Sequence, residues 1–123
     1  MQENNLKIKS FAFAVIVVNT FKTLKSRQID YALIRQFLRS GTSVGANVAE
    51  AYGAISDADF SAKLSISYKE SLETKFWISL LHETAYLSKT EYDFLTEKCD
   101  ELSKILYTII KKTRIDKKTV SSK

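Results

Sequence analysis

The chain has 123 residues, enough for one domain with a buried core, and carries a net charge of +5. It contains no proline and only three glycines, all between Gly41 and Gly53. That pattern argues against turn-rich β architectures and for an all-α domain, and a single cysteine excludes an internal disulfide.

The first predicted helix runs from about Leu6 to Lys25. Its apolar residues include Phe11, Val15 and Val18, but also Phe13, Val17, Phe21 and Leu24, so they cover more than one face. A helix that wide is expected to pack on two sides, in a bundle or at a subunit interface. The apolar run from Phe11 to Val18 is too short to span a bilayer. Lys7 and Lys9 precede it in the manner of a signal peptide, yet no small-residue cleavage site follows and the apolar period continues to Leu24. The expectation is a core helix of a cytoplasmic protein.

Arg27–Asp30 forms a short connection, with Asp30 the expected N-cap of a second helix from Tyr31 to about Tyr52. The stretch from Arg39 to Gly53 is the least bulky in the chain. Gly41 and Gly45 form a G-x-x-x-G whose expected role is close approach of a neighbouring backbone. Gln36, Ser40, Ser43, Asn47 and Glu50 are spaced 4, 3, 4 and 3 apart, which places them on one helical face. Two readings of this face stand: a solvent-exposed surface, or a polar seam against another helix. Gly53 is the expected left-handed stop.

The third helix is expected from Ser56, with Asp59 completing a capping-box variant, to about Leu87. That is roughly 30 residues or about 45 Å. One stripe is Phe60, Leu64, Ser67, Ser71, Thr74, Ile78, Leu81 and Ala85. A second stripe holds Glu73 among Ile66, Trp77, Leu80 and Leu87. A buried carboxylate needs a partner, and Arg39, Ser43 or Asn47 supplies one if the second and third helices are antiparallel neighbours. The expected seam therefore comprises Arg39, Ser43, Asn47, Glu50 and Glu73. The alternative leaves Glu73 at the edge of the stripe and in water.

After Ser88 and Lys89, Thr90 with Asp93 repeats the capping pattern. The fourth helix then follows a heptad of Tyr92, Leu95, Cys99, Leu102, Leu106 and Ile109, which makes Cys99 a core thiol. From Lys111 onward six cations face Asp116 alone, so this segment carries the whole net charge. Residues 1–113 are expected to form the bundle and residues 114–123 a basic, disordered tail. Four amphipathic helices with short connections make an antiparallel up-down-up-down four-helix bundle. The surplus apolar width, with Tyr52, Tyr68, Trp77, Tyr86 and Tyr107, points to a homo-oligomer.

Motifs for chemistry are missing. His82 is the only histidine, and neither Glu-x-x-His nor G-x-S-x-G nor a P-loop occurs. Glu50 and Glu73 are read as structural, and neither metal, cofactor nor enzymatic activity is expected. The positive expectation is nucleic-acid binding through Lys22, Lys25, Arg27, Arg35, Lys111, Lys112 and Arg114, whose phosphate contacts would be sequence-independent and salt-sensitive. The alternative is a protein-interaction scaffold that assembles through its acidic and basic halves.

The residues Arg39-Ser40, Thr42-Ser43-Val44-Gly45-Ala46-Asn47-Val48-Ala49-Glu50-Ala51 and, later, Asp59-Phe60, Leu64 and Ser71-Leu72-Glu73-Thr74 carry a likeness. They resemble the four-helix proteins encoded in intervening sequences of bacterial 23S rRNA genes, also labelled S23 ribosomal proteins, and the related accessory variability protein of diversity-generating retroelements. The family pattern is close to S-x-S-I-G-A-N-I-A-E-G followed by E-L-E-T. Ala51-Tyr52 and Ser71 depart from it. The resemblance covers the chain from the first helix to about Ile110. It implies a cytoplasmic bacterial α-bundle without known catalysis, assembling as a ring-like homopentamer. In the retroelement branch it further implies RNA and a reverse transcriptase as partners.

Overall fold

Four helices appear in the computed structural model, which describes the backbone of residues 2–121 and the side chains of residues 5–113: α1 (Gln2–Ser26), α2 (Tyr31–Ala51), α3 (Asp57–Glu83) and α4 (Lys89–Ser121). Each helix packs on its two chain neighbours and α4 closes back on α1, giving an antiparallel up-down-up-down bundle. The α2–α3 pair is joined most extensively and the α1–α4 pair least. Among the described residues α1 does not touch α3, so these two lie diagonally across the bundle.

The caps explain where the helices begin. Asp30 accepts a hydrogen bond from the Ala32 N–H at 2.9 Å, and Ser56 accepts from the Asp59 N–H at 3.0 Å. The fourth helix starts one residue before the expected Thr90. Its box is Ser88 with Glu91: the Glu91 N–H donates to Ser88 Oγ at 3.1 Å, and the Ser88 N–H donates to Glu91 Oε1 at 2.9 Å. Both S/T-x-x-D/E patterns are present in the sequence, and the earlier one forms because the chain has already turned at Ala85.

Two endings differ from expectation. Gly53 is not left-handed; α2 closes on Tyr52 at φ −76°, with right-handed geometry. The third helix stops at Glu83 instead of near Leu87. Ala85 adopts φ 68°, and the Tyr86 N–H reaches back to the Leu81 carbonyl at 2.8 Å, the long bond of a Schellman turn. Alanine in that role carries no sequence signal.

The core is continuous along the bundle. Phe13, Val17, Leu24, Phe37, Val44, Leu64, Ile78 and Leu106 are all essentially inaccessible. Cys99 sits in it and donates its thiol to the Ser71 carbonyl at 3.2 Å, and burial pushes its pKa up to about 12. On α1 the core line is Leu6, Ser10, Phe13, Val17 and Leu24. The opposite side of the same helix is apolar as well: Ile8 is 69% exposed and Phe11 71%. The expected tail begins within α4; side chains from Arg114 on lie outside the described residues.

Candidate functional site

The small residues of α2 serve two neighbours. Toward α1, a Cβ added to Gly41 would stand 2.7 Å and 2.8 Å from the two methyls of Val17, and one on Gly45 would stand 3.0 Å from the Ser10 carbonyl oxygen. No residue larger than glycine fits at position 41 with α1 where it is. Toward α3, hydroxyls make the contact. Ser67 donates to the Val44 carbonyl at 2.8 Å, and the Thr74 hydroxyl donates to Ser40 Oγ at 3.0 Å. All four residues are buried. Between them on α3, Ser71 pairs its hydroxyl with that of Ser103 at 2.8 Å, extending the polar contact to α4. Short hydroxyl side chains let backbones approach and satisfy each other's polar groups without the bulk that would separate them.

The residues expected in the α2–α3 seam divide into two groups. Arg39 crosses to α3 and pairs with Glu70 at 3.0 Å and with Glu73; Glu73 also accepts from the Trp77 indole N–H at 3.0 Å. The indole hydrogen bond, followed by Arg39, holds the Glu73 carboxyl below its ordinary pKa. Glu50 crosses to Lys63 at 3.0 Å. Ser43 and Asn47 bond within α2, to the Arg39 carbonyl at 2.7 Å and the Ser43 carbonyl at 2.8 Å. Ser40 lies on the core side of this face and Ser43 and Asn47 one step outward. The hydroxyl partners Ser67 and Thr74 were visible as the small residues of the third-helix stripe, but spacing alone does not select them over Ser43 and Asn47.

The candidate nucleic-acid contacts fall at the two ends of the bundle. At the α1–α2 end, Lys25 Nζ lies 5.9 Å from the centre of the Tyr31 ring, and Arg35 stands one turn beyond Tyr31 on the same helix. Tyr31 is half-exposed, and among the described residues Lys22 and Arg35 have no acidic partner. Arg27 differs. Its guanidinium forks onto Glu91 at 3.0 Å and 2.8 Å and donates to the Tyr86 carbonyl, which ties the two loops at this end together. That pairing, with the Ser88 N–H, holds Glu91 down at about 2. At the other end, Lys111 lies 6.0 Å over the Tyr107 ring, and both line a shallow surface hollow with Thr108 and Lys112. Both ends thus present an exposed tyrosine with cations on it. About 20 helical residues, or about 30 Å, separate them. Arg114 lies outside the described side chains.

Chemistry finds little to use. The His82 ring stacks on Tyr92 at 4.3 Å between centroids, and its Nδ1 is 3.1 Å from the Leu87 carbonyl oxygen. Glu50 and Glu73 are each engaged by a cation of the neighbouring helix. Among the described residues no group of His, Cys, Asp and Glu could hold a metal, and no helix is long and apolar enough to cross a membrane.

No curated protein matches the chain. A crystal structure of a protein of unknown function from the S23 ribosomal protein family of Bacteroides thetaiotaomicron is 44% identical. The match covers 90% of this chain and 99% of that one, with a TM-score of 0.88. The model of the 23S rRNA-intervening sequence protein family matches residues 2–108. The hydroxyl contacts of α2 and α3, and the glycines under α1, lie within that span, and the chain belongs to the 23S rRNA-intervening sequence protein family.

Proposed function

We propose that this chain is a non-enzymatic, homo-oligomeric bundle protein that binds RNA, free or in a ribonucleoprotein, through its two basic ends. The observation that carries this reading is Lys25 over the half-exposed Tyr31 ring, with Arg35 one helical turn farther along the same helix. Cations take phosphates and an exposed ring stacks on a base. Tyr107 with Lys111 and Lys112 repeats the combination at the far end. An RNA held at both ends must extend about 30 Å, which favours a folded RNA or a long single strand over a short oligomer.

Filter binding of the full chain to a structured RNA at two salt concentrations tests the reading. The expected result is binding that weakens steeply with salt and exceeds that to an unrelated acidic polymer. Equal binding to the polymer, or binding lost on removing only residues 114–123, overturns a site on the bundle. The exposed apolar side chains of α1 and α3 favour a second reading, a protein scaffold without nucleic acid. Capture of one defined protein partner that survives nuclease treatment supports that alternative.

A further inference from the structure

Both connections at one end of the bundle contain an unfavourable turn. Among the described residues, Gln28 (φ 60°) between α1 and α2 and Ala85 (φ 68°) between α3 and α4 are the only non-glycine residues with a left-handed backbone. Such a conformation costs energy locally and persists where the surrounding contacts impose it. Arg27 joins the two turns. Its guanidinium reaches the Glu91 oxygens at 3.0 Å and 2.8 Å and donates to the carbonyl of Tyr86, the residue after Ala85, at 3.2 Å. Glu91 is itself fixed, because its Oε1 also accepts from the Ser88 N–H at 2.9 Å in the cap of α4. The guanidinium is therefore anchored to a helix start and not to a free side chain.

The turn at Gln28 sets how α2 begins against the end of α1. The Arg27 N–H still bonds back into α1, to the Thr23 carbonyl at 3.2 Å and the Leu24 carbonyl at 3.1 Å. Ile29 is buried and Asp30 caps α2, so the reversal falls on Gln28. Tyr31 opens α2, and its ring meets Phe21 edge-on at 6.1 Å between centroids and Lys25 Nζ at 5.9 Å from its centre. The Lys25–Tyr31 contact is thus assembled across this one turn, and any change at Gln28 moves its two halves relative to each other.

We propose that Arg27 and Glu91 are positioning residues for the RNA site at this end: their fork holds the α1–α2 turn in the geometry that sets Lys25 over Tyr31, and Arg27 itself takes no phosphate. This rests on the RNA reading above and adds how the site is held. Both terminal nitrogens of Arg27 are committed to Glu91 and Tyr86, whereas Lys25 has no acidic partner among the described residues. A turn held in place before RNA arrives removes an ordering cost from binding. The fork also makes the site depend on the start of α4, a helix that carries none of the groups taking the RNA there.

The test uses two full-length variants, Glu91→Gln and Arg27→Lys, titrated with one structured RNA over a range of salt. Glu91→Gln keeps a side chain suited to the cap at Ser88 and removes the charge that holds Arg27. If Glu91 only masked Arg27, the variant would free a cation for phosphate, and RNA would bind more tightly with a salt slope steeper by about one counterion. Positioning predicts the opposite sign, a Kd weaker by about fivefold at an unchanged slope. Arg27→Lys keeps the charge but loses the planar fork, so it should weaken binding in the same way. In the free protein, the nuclear Overhauser contact between the Lys25 side chain and the Tyr31 ring should be present in the parent and lost in both variants, with far-UV circular dichroism unchanged. Tighter binding by Glu91→Gln, or an unchanged Kd in either variant, overturns the positioning role. So does an Overhauser contact that persists in both variants, a result that decides the matter whether or not RNA binds. A parent that binds RNA no better than an unrelated acidic polymer overturns the RNA reading instead. Should one variant unfold, the other makes the same test.

Discussion

Replacing Gly41 with alanine places a methyl group inside the contact between α2 and α1. The new carbon would lie 2.7–2.8 Å from both Val17 methyls and 3.2 Å from Val17 Cβ, so either helix or side chain must move. Val17 is fully buried and β-branched, so its side chain is stiff at χ1. Overpacking of this kind costs about 1–3 kcal/mol. Alanine regains about 1 kcal/mol of helix propensity over glycine. The expected result for Gly41→Ala is a net loss of about 1 kcal/mol, read as a shift in urea midpoint at unchanged slope, or about 3–5 °C in melting temperature. Val17→Ala alone leaves a cavity and costs about 2–3 kcal/mol. The double variant fills that cavity with the new methyl, so it should be more stable than the sum of the single changes by at least about 1 kcal/mol. Gly53→Ala is the control. Gly53 has no positive φ, and its added Cβ would meet only the Glu50 carbonyl at 3.6 Å, so that change should be neutral or slightly stabilising. A Gly41→Ala protein as stable as its parent, with no coupling to Val17, would refute the close-approach account.

Three further outcomes follow from the same structure. Ala85→Gly relieves a left-handed alanine at φ 68° and should stabilise by about 0.5–1 kcal/mol in thermal unfolding; no gain would mean the turn is not strained. Glu91 has its folded pKa lowered to about 2, so its ion pair with Arg27 contributes fully above the ordinary carboxylate pKa near 4.5 and is lost as pH falls toward 2. Its side chain is 29% exposed, so a contribution of about 1–2 kcal/mol is expected. The stability gap between parent and Glu91→Gln, measured in urea, should therefore close between about pH 4.5 and 2, and a gap independent of pH contradicts the pairing. Cys99, with a pKa pushed up to about 12 and its side chain in the core, should resist iodoacetamide at pH 8 in the folded protein and react once urea unfolds it. Rapid labelling of the native chain would contradict its burial.

Much of this architecture could be read from spacing. The 3.6-residue period of Leu95, Cys99, Leu102 and Leu106 and the oxygen-bearing caps Asp30 and Ser56 are local signals, and the structure uses them as local physics predicts. Features set by a neighbouring helix carry no such local signal. The stop at Ala85 needs a left-handed alanine, which costs energy locally and is held by the bonds from Ala85 and Tyr86 back to α3. Nothing in the one-dimensional pattern separates Ser40, which meets Thr74, from Ser43, which bonds its own helix; a rotation of one step around α2 decides it. Arg27 shows the same limit for charge. In sequence it is one more cation beside Lys25, while in the bundle Glu91 occupies its guanidinium. The apolar width of α1 was legible, and its division into a core line and an outward line followed once α2 and α4 were in place.

The proposed RNA contact at the α1–α2 end is tested most directly by charge reversal there. The full chain and a Lys25→Glu, Arg35→Glu variant are titrated with one structured RNA across a range of salt near about 0.15 M. Neither side chain pairs with an acidic group among the described residues, so the variant should fold as its parent does. The account predicts at least a tenfold weaker Kd and a salt dependence shallower by about two counterions, one for each phosphate contact removed. An unchanged Kd and an unchanged salt slope would contradict it.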